Sequence, residues 1–276
     1  MELGLLKNHI KISSLLCTRK NDVSKVEEQI ISIKNLYKKY QNAEDFSVND
    51  ISLNIHPKEV FGILGPNGAG KTTLISMLSG IIKPTSGTFS IDSLDFKHDS
   101  TKIKQIIGIV PQEYALYPTL TARENLMFFG SLYGLKHQQL KKDIEIGLER
   151  MGLSQFADKK IEHFSGGMKR RCNLIAGTLH SPKVLFLDEP TVGVDVQSKK
   201  VIIDFLQELN QKGTCIIYTS HHLSEAQEFC TQIAIIDSGK ILTNGSPEEL
   251  IAKTSNADNL EDVFISLTGK ELRDAL

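Results

Sequence analysis

Apolar positions near the start of the chain fall into short runs of the kind that β-strands show. Such a run begins at Gln29, others cover residues 47–55 and 59–64, and the last of these ends in a glycine-rich turn. Residues 72–80 then carry apolar side chains at helical spacing, and residues 87–91 are again typical of a strand. The pattern therefore predicts a β-rich region in which a helix directly follows a glycine-rich turn.

A different pattern covers the middle of the chain, where apolar residues recur at the 3.6-residue spacing of amphipathic helices. It predicts a mostly helical insert at about residues 113–180. Short, almost wholly apolar runs follow at residues 184–187, 214–218 and 233–236, with helical segments between them. Because the strands of a parallel sheet are buried on both faces, these runs predict an α/β fold with a buried parallel sheet.

The last part of the chain carries a hairpin signal and two helix signals. Residues 237–240, DSGK, predict the turn of a β-hairpin. Ser246, Pro247 and Glu249 follow in the order of a helix cap, a first-turn proline and a glutamate that reaches back to the cap. A final helix is predicted from Asp258, with an apolar face made of Leu260, Val263, Phe264 and Leu267.

Composition is that of an ordinary globular protein. The 276 residues are 40% hydrophobic and 24% charged, which excludes a disordered, collagen-like or disulfide-dense chain. A formal net charge of −1 gives no field that would favour nucleic acid. Four cysteines without CxxC spacing are typical of reduced thiols. No apolar run approaches the roughly 18 to 20 residues that span a bilayer, and residues 1–14 make a poor signal peptide, so we expect a cytoplasmic protein.

The glycine-rich turn fits the phosphate-binding pattern GxxxxGK[ST] at residues 65–72. Its glycines allow backbone N–H groups to surround phosphate oxygens, and the helix that follows offers the positive end of its dipole. Lys71 is predicted to reach the β- and γ-phosphates, and the Thr72 hydroxyl to bind Mg²⁺. The expected nucleotide-binding residues here are Gly65, Pro66, Asn67, Gly68, Ala69, Gly70, Lys71, Thr72 and Thr73.

Two adjacent carboxylates follow the apolar run 184–187. Asp188 is predicted to hold Mg²⁺, directly or through water, and Glu189 to polarise the water that attacks the γ-phosphate. Either residue alone would also suit a helix cap or a surface charge. Beside the phosphate-binding turn, nucleotide chemistry explains the pair better.

The segment FSGGMKRR at residues 164–171 lies between these two motifs in the chain. Ser165 suits a helix cap, and with Gly166 and Gly167 it predicts a second anion-binding turn. The segment resembles the LSGGQ signature of the ATP-binding cassette (ABC) ATPases, with Phe164 and Met168 as departures at positions that vary in that family. The resemblance extends over about residues 29–276.

The resemblance implies roles for four further residues. Tyr40 matches the aromatic residue that stacks on adenine, and Gln112 matches the glutamine that contacts Mg²⁺ and the attacking water. Asp195, in GVDV, matches an acid that contacts the opposite subunit, where the family more often has GLDP. His221 matches the histidine that holds the γ-phosphate, and it is preferred to His222 because a glutamate follows it by four residues. The implied catalytic residues are Glu189, His221 and Gln112, and the implied Mg²⁺ ligands are Thr72, Gln112 and Asp188.

The implied fold is that of a P-loop NTPase. It has a RecA-like core with a mostly parallel sheet, an antiparallel β subdomain and an inserted α-helical subdomain at about residues 113–180. Residues 1–28 are expected to be an N-terminal extension, residues 29–255 the ATPase domain, and residues 256–276 a short C-terminal helix.

The implied function is that of an ATPase subunit that uses ATP and Mg²⁺. In the family, two cassettes form a head-to-tail dimer in which each signature closes on the other subunit's ATP, and we expect a homodimer rather than a heterodimer. A separate membrane permease is the implied partner, which would hold the chain on the inner face of the cell membrane. Tyr114, Tyr117, Pro118 and Leu120 either face that permease or pack internally, and the sequence leaves both interpretations open.

The direction of transport depends on two weaker resemblances. The segments YPTLTARENL and LEDVFISLTGKELRDAL resemble those of ABC-2-type exporter ATPases. An importer ATPase is an alternative, although sugar importers often carry a large C-terminal regulatory domain that we do not expect here. A non-transport ABC ATPase acting on ribosomes or DNA usually has a second cassette or a long coiled-coil insertion. A small GTPase or nucleotide kinase would leave the signature unexplained, and no NKxD-type guanine motif is present.

Overall fold

The computed structural model describes residues 28–269. Almost all of the predicted N-terminal extension, residues 1–27, and residues 270–276 lie outside this described part. The strands are β1 (Ile31–Lys38), β2 (Val48–Ile55), β3 (Val60–Leu64), β4 (Ser86–Ile91), β5 (Leu94–Asp95), β6 (Ile107–Val110), β7 (Val184–Asp188), β8 (Cys215–Ser220), β9 (Gln232–Asp237) and β10 (Lys240–Gly245). The helices are α1 (Lys71–Leu78), α2 (Phe96–Ile106), α3 (Ala122–Leu132), α4 (His137–Arg150), α5 (Gly166–Thr178), α6 (Val196–Gln211), α7 (Leu223–Phe229), α8 (Pro247–Lys253) and α9 (Leu260–Thr268).

The strands form two sheets. The smaller sheet is antiparallel, with the order β2-β1-β4-β5. The larger sheet has the order β10-β9-β3-β8-β7-β6, and its neighbouring strands are parallel except for β10, which pairs antiparallel with β9. The predicted α/β fold, with a mostly parallel core and an antiparallel β subdomain, is confirmed.

Each face of the larger sheet packs against a separate hydrophobic core. Because side chains alternate along a strand, Leu185 and Leu187 of β7 face the core that the helical insert shares. Val184 and Phe186 of the same strand face the core that α1 and the antiparallel sheet share. Strands β3, β7 and β8 are therefore buried along their whole length, which explains their nearly continuous apolar sequence.

The helices α3, α4 and α5 lie between β6 and β7 in the chain, within the insert that the sequence predicts. Helix α3 begins with a capping box in which the Thr121 side chain and the Glu124 side chain each bond to the other residue's backbone. Helix α4 buries Leu140, Ile144 and Leu148, which lie four residues apart on one face. Because the insert leaves the sheet directly after β6, it begins beside the carboxyl ends of the parallel strands.

The structure differs from the sequence prediction in two places. The sequence patterns did not predict α2 or β6. Helix α2 buries only Ile103, is interrupted at Asp99 and contains few apolar residues, so its apolar positions are too sparse to indicate a helix. The final helix packs through Leu260, Val263 and Phe264 as expected, whereas Leu267 is 41% exposed.

Several local predictions are confirmed. Ser238 and Gly239 have positive φ in the turn between β9 and β10, and Ser246 forms a capping box at α8 with Pro247 in the first turn. Cys172, Cys215 and Cys230 are free and buried, and burial raises the pKa of the Cys172 and Cys215 thiols to about 12.

Within residues 28–269, no helix is both long enough and apolar enough to cross a membrane.

Candidate nucleotide-binding site

The glycine-rich turn between β3 and α1 is shaped by close backbone contacts. Gly70 has a φ of 102° and precedes α1, which begins without a side-chain cap. A Cβ atom at Gly70 would lie 2.1 Å from the Ser47 carbonyl oxygen, and one at Gly65 would lie 2.1 Å from the Ile236 carbonyl oxygen. Side chains are therefore excluded at both positions. The first turn of α1 presents N–H groups that have no acceptor within the helix.

The Lys71 side chain folds back along this turn. Its Nζ donates to the carbonyl oxygens of Gly65, at 2.8 Å, and Pro66, at 3.1 Å. Burial lowers the pKa of the Lys71 ammonium group, and the nearby charges of Glu189 and Asp188 oppose that effect. A buried cation thus lies beside the N–H groups of the turn, which is the combination that anionic phosphates require.

Asp188 and Glu189 end β7 and are both nearly buried. Glu189 has a φ of 49°, in the left-handed region that residues with a Cβ atom seldom adopt. The Thr219 hydroxyl on β8 holds both acids, because it donates to Asp188 Oδ1 at 2.7 Å and accepts from the Glu189 N–H at 3.0 Å. The strained backbone of Glu189 is thus fixed by the neighbouring strand.

The Glu189 carboxylate contacts two other predicted residues. His221 Nδ1 lies 3.1 Å from Glu189 Oε1, and Gln112 Nε2 donates to Glu189 Oε2 at 3.4 Å. Gln112 follows β6 and His221 follows β8, so the three residues meet because β6, β7 and β8 are parallel neighbours. The structure therefore brings the three predicted catalytic residues together.

A cavity of about 600 Å³ opens beside the turn and Glu189, a volume within the range of small-molecule sites, and Asp188 does not line it. Its lining residues are Ser47, Asn67, Gly68, Ala69, Gly70, Lys71, Thr72, Thr73, Gln112, Glu189, Val192 and His221. The sequence did not single out Ser47 or Val192. Ser47 reaches the turn only through the packing of the antiparallel sheet, which no local pattern could indicate.

Tyr40 lies beside this cavity rather than in its wall. Its hydroxyl group is 3.5 Å from Thr73 Oγ1, and the side chain is 45% exposed. Lys38 Nζ lies 5.3 Å from the centre of the Tyr40 ring. The ring is thus accessible to a ligand that extends from the turn.

The signature residues form a second group that does not line the cavity. Ser165 caps α5 by accepting from the Met168 N–H at 3.2 Å. A Cβ atom at Gly167 would lie 2.8 Å from Asp195 Oδ2, so the signature turn packs directly against the Asp195 loop. Asp195 caps α6 through Ser198, and those hydrogen bonds lower the pKa of its carboxyl group.

The structure also shows a buried polar cluster that the sequence did not predict. Glu225 accepts a hydrogen bond from Thr191 Oγ1 at 2.6 Å, another from the Tyr218 hydroxyl, and pairs with Lys199. The cluster joins α7, which follows His221, to the segment after Glu189 and to α6. From the sequence, Glu225 only helps to identify His221, which it follows by four residues. Its part in the cluster could not be predicted, because its partners lie on three other segments.

A parallel sheet, a phosphate-binding turn that leads into α1, and two carboxylates at the end of β7 define a P-loop nucleoside triphosphatase. Comparisons with known proteins narrow this class. The family model for the ABC transporter matches residues 48–192. The linearmycin resistance ATP-binding protein LnrL of Bacillus subtilis is 44% identical over 246 residues, which cover 89% of this chain and 77% of that protein. The chain belongs to the ABC transporter family as an ATP-binding subunit that hydrolyses ATP.

Two other similarities agree with this assignment. The Nod factor export ATP-binding protein I of Paraburkholderia xenovorans is 36% identical over 234 residues, covering 85% of this chain and 76% of that protein. A dimeric structure of the ATP-binding cassette MJ0796, in a post-hydrolysis state bound to ADP and Pi, superimposes with a TM-score of 0.73. It is 27% identical and covers 78% of this chain and 98% of that one.

The Thr219 hydroxyl provides a direct test of how the carboxylate pair is held. Thr219→Val keeps the shape but removes the hydrogen bonds to both acids and a weaker one to the Leu187 carbonyl oxygen. We therefore expect the free energy of unfolding to fall by about 1–3 kcal/mol and ATP turnover to decrease. Chemical denaturation and a phosphate-release assay measure the two effects. Thr214→Val is the matched control, since it removes one buried hydrogen bond, to the Pro182 carbonyl, away from the cavity. Equal turnover in the two variants would contradict the role of Thr219.

Proposed function

We propose that this chain is the ATP-hydrolysing subunit of an ABC exporter, working on ATP with Mg²⁺ and driving a separate membrane permease. The observation that carries the proposal is that two groups line the same cavity. One is the phosphate-binding turn with Lys71, and the other is Glu189 with His221. An ATP molecule held by the turn would present its γ-phosphate to the carboxylate.

The residues around the cavity fit both the anion and its metal. The N–H groups of residues 67–73 and the Lys71 ammonium group would bind the phosphates. Thr72, Gln112 and Asp188 offer the hard oxygen ligands that Mg²⁺ prefers, and a bound Mg²⁺ would neutralise charge that develops on the phosphates. Within residues 28–269 no cluster of three or more histidine, cysteine or acidic side chains suits a metal. This agrees with an ion that takes many of its ligands from substrate and water.

Hydrolysis would require one proton transfer that this chain can perform. Glu189 would accept a proton from a water molecule as the water oxygen bonds to the γ-phosphorus and the bond to the ADP oxygen breaks. His221, which contacts Glu189, would bind the oxygens of the γ-phosphate, and Gln112 would orient the water. Because Glu189 is fixed by Thr219 and by its position after β7, the base needs little rearrangement.

The placement of the signature supports a dimer as the active form. Ser165, Gly166 and Gly167 do not line the cavity of their own chain, and they lie against Asp195 on a separate surface. A second cassette, turned head to tail, would bring this surface to the other subunit's ATP. The similar cassette MJ0796 has been solved as a dimer. We infer a homodimer, each half of which supplies one cavity and one signature.

An exposed apolar surface on the helical insert, made mostly of aromatic rings, suits the permease. It consists of Tyr114, Tyr117, Phe128 and Leu132, which are 39%, 47%, 40% and 67% exposed. The Tyr117 and Phe128 rings are 5.2 Å apart, and Asn125 fixes the loop by bonding both backbone groups of Tyr117. Exposed aromatic patches of this kind are typical of protein interfaces. Docking here would hold the chain peripherally on the inner face of the cell membrane.

Export is the direction that the relatives favour. One similar protein is described as an export ATP-binding protein and another as a resistance protein. Both descriptions agree with the resemblance of residues 117–126 to exporter ATPases. The transported molecule would be bound by the permease rather than by this chain.

Glu189→Gln tests the proton-transfer step. The amide keeps the shape of the carboxylate but accepts no proton, so we expect kcat to fall by roughly 10²- to 10⁴-fold while ATP still binds. Steady-state phosphate release and titration with a fluorescent ATP analogue measure the two quantities. Glu208→Gln, on the exposed face of α6, is the control and keeps its turnover. Turnover near that of the parent chain would exclude Glu189 as the base.

Lys71→Ala tests the phosphate-binding turn. Loss of the charged donor is expected to weaken ATP affinity roughly 10- to 100-fold, since hydrogen bonds to charged groups contribute about 1.5–3 kcal/mol. The control is Lys102→Ala, an exposed lysine that pairs with Asp99 on α2. Circular dichroism checks that both variants fold. An unchanged dissociation constant would argue against the turn as the binding site.

The double variant Tyr117→Ser and Phe128→Ser, made in one tagged chain, tests the permease surface. Expressed in the native cells, this double variant is expected to lose a permease that co-purifies with the parent chain from gently solubilised membranes. Ile146→Ser, an equally exposed apolar residue on α4, is expected to keep it. Retention of the permease by the double variant would exclude this surface. A co-purifying solute-binding protein would favour import, and recovery with ribosomes or DNA would overturn the transport assignment.

A further inference from the structure

Arg170 joins the helical insert to the segment that carries Gln112. It lies on α5, five residues after the cap Ser165, and it is 2% exposed. Its two terminal nitrogens donate to two successive carbonyl oxygens, those of Pro111 at 2.9 Å and Gln112 at 2.8 Å. Because both bonds are to backbone atoms, they constrain the path of the Gln112 loop rather than one side chain.

Tyr114 extends this contact to the signature turn. The Arg170 guanidinium carbon lies 5.1 Å from the centre of the Tyr114 ring, within the range of a cation–π interaction. The Tyr114 hydroxyl donates to the Gly166 carbonyl oxygen at 3.3 Å. The Gln112 loop, Arg170 and Tyr114 therefore form a continuous series of contacts that ends at the signature turn.

The neighbouring arginine shows that this arrangement is particular to Arg170. Arg171 donates to the carbonyl oxygens of Met151 and Gly167, both of which belong to the helical insert. Arg170 instead bonds across to the residues that directly follow β6 of the central sheet. Of the two adjacent arginines, Arg171 holds the insert together, and Arg170 connects it to the nucleotide cavity.

Burying the Arg170 guanidinium group costs desolvation free energy that an apolar side chain would not. Within residues 28–269, no carboxylate forms an ion pair with Arg170. Two carbonyl groups, a ring face and the more distant charges of Asp188 and Glu189 oppose its desolvation, whereas its Nε is buried without a hydrogen-bond partner. An apolar side chain would pack here at lower cost but would not fix two successive carbonyl groups. A lysine at this position would keep the charge, yet it lacks the planar pair of donors that reaches both oxygens.

We propose that Arg170 is a positioning residue that couples the Gln112 loop to the signature turn. When Gln112 engages the nucleotide in its own cavity, the loop shifts Arg170 and Tyr114, and these set the position of Gly166 toward the second cassette. The inference rests on the proposed function, because it assigns the coupling a role in closing the dimer. The affinity of a single chain for ATP does not depend on it, since Arg170 does not itself line the cavity and reaches it only through the backbone of Gln112.

The test uses the full 276-residue chain with Arg170→Lys, and Arg123→Lys as the matched control. Arg123 lies in the same insert, where it pairs with Asp158 at 2.8 Å, away from both motifs. We expect Arg170→Lys to bind a fluorescent ATP analogue within about twofold of the parent, while kcat falls about tenfold or more because one of two charge-assisted bonds is lost. A loss of ATP affinity equal to the loss of kcat, or an unchanged kcat, would overturn the proposal.

Dimer formation is measured separately in the Glu189→Gln chain, which would retain ATP. Sedimentation velocity with ATP and Mg²⁺ gives the dissociation constant of the dimer, and Arg170→Lys is expected to raise it about tenfold. Arg123→Lys leaves it unchanged. If the Glu189→Gln chain with Arg170 intact forms no dimer, the proposed dimer is wrong and the coupling is wrong with it. If that chain dimerises and Arg170→Lys dimerises equally well, the coupling alone is overturned.

A second variant covers the case in which Arg170→Lys folds poorly. Tyr114→Phe removes only a hydroxyl group from a half-exposed ring, so folding is retained, and a smaller loss of dimerisation is expected. If both residues act in one series, the double variant loses no more than Arg170→Lys alone. Effects that multiply would show two independent contributions and contradict the series. Hydrogen exchange of residues 165–168 in the monomer, with and without ATP, gives the same answer without dimerisation. ATP is expected to change exchange in the parent chain but not in Tyr114→Phe.

Discussion

The structure depends on keeping two adjacent carboxylates nearly buried at the end of one parallel strand. Asp188 and Glu189 would repel each other and lose their hydration at this position unless neighbours compensated them. Thr219 supplies a donor to Asp188, His221 and Gln112 lie against Glu189, and Lys71 supplies a positive charge nearby. These neighbours come from the ends of three other strands, so the acid pair constrains how β3, β6 and β8 must be arranged around β7.

The two hydrophobic cores make that arrangement rigid. One core joins the sheet to α1 and the antiparallel sheet, which places Ser47 beside the phosphate-binding turn. The other core joins the sheet to the helical insert, which places the signature beyond the carboxyl ends of the strands. The nucleotide cavity lies where elements packed against the two cores meet. Movement of the insert relative to the sheet would therefore change contacts at Gln112 first, since the insert begins directly after it.

Features whose cause is local in sequence could be predicted. The phosphate-binding turn, the buried strand before Asp188, the caps at Ser165 and Ser246 and the hairpin after β9 each depend on residues within about eight positions. Features whose cause is contact through space could not. Thr219 and Arg170 act on residues more than 30 positions away, and no spacing rule identifies such partners. Helix α2 escaped prediction for another reason, because it contains few apolar residues, buries only one of them and is interrupted at Asp99.

The signature lies apart from the nucleotide cavity of its own chain, so one chain carries the two halves of the proposed nucleotide site at separate places. The cavity supplies a phosphate-binding turn, a cation and a carboxylate. The signature supplies a capped helix whose N-terminal amides suit an anion, yet its residues do not line the nucleotide cavity of the same chain. A symmetric pair of chains would complete both halves at once. In such a pair, a residue that connects the halves within one chain also connects the two nucleotides, and Arg170 has the contacts for that role.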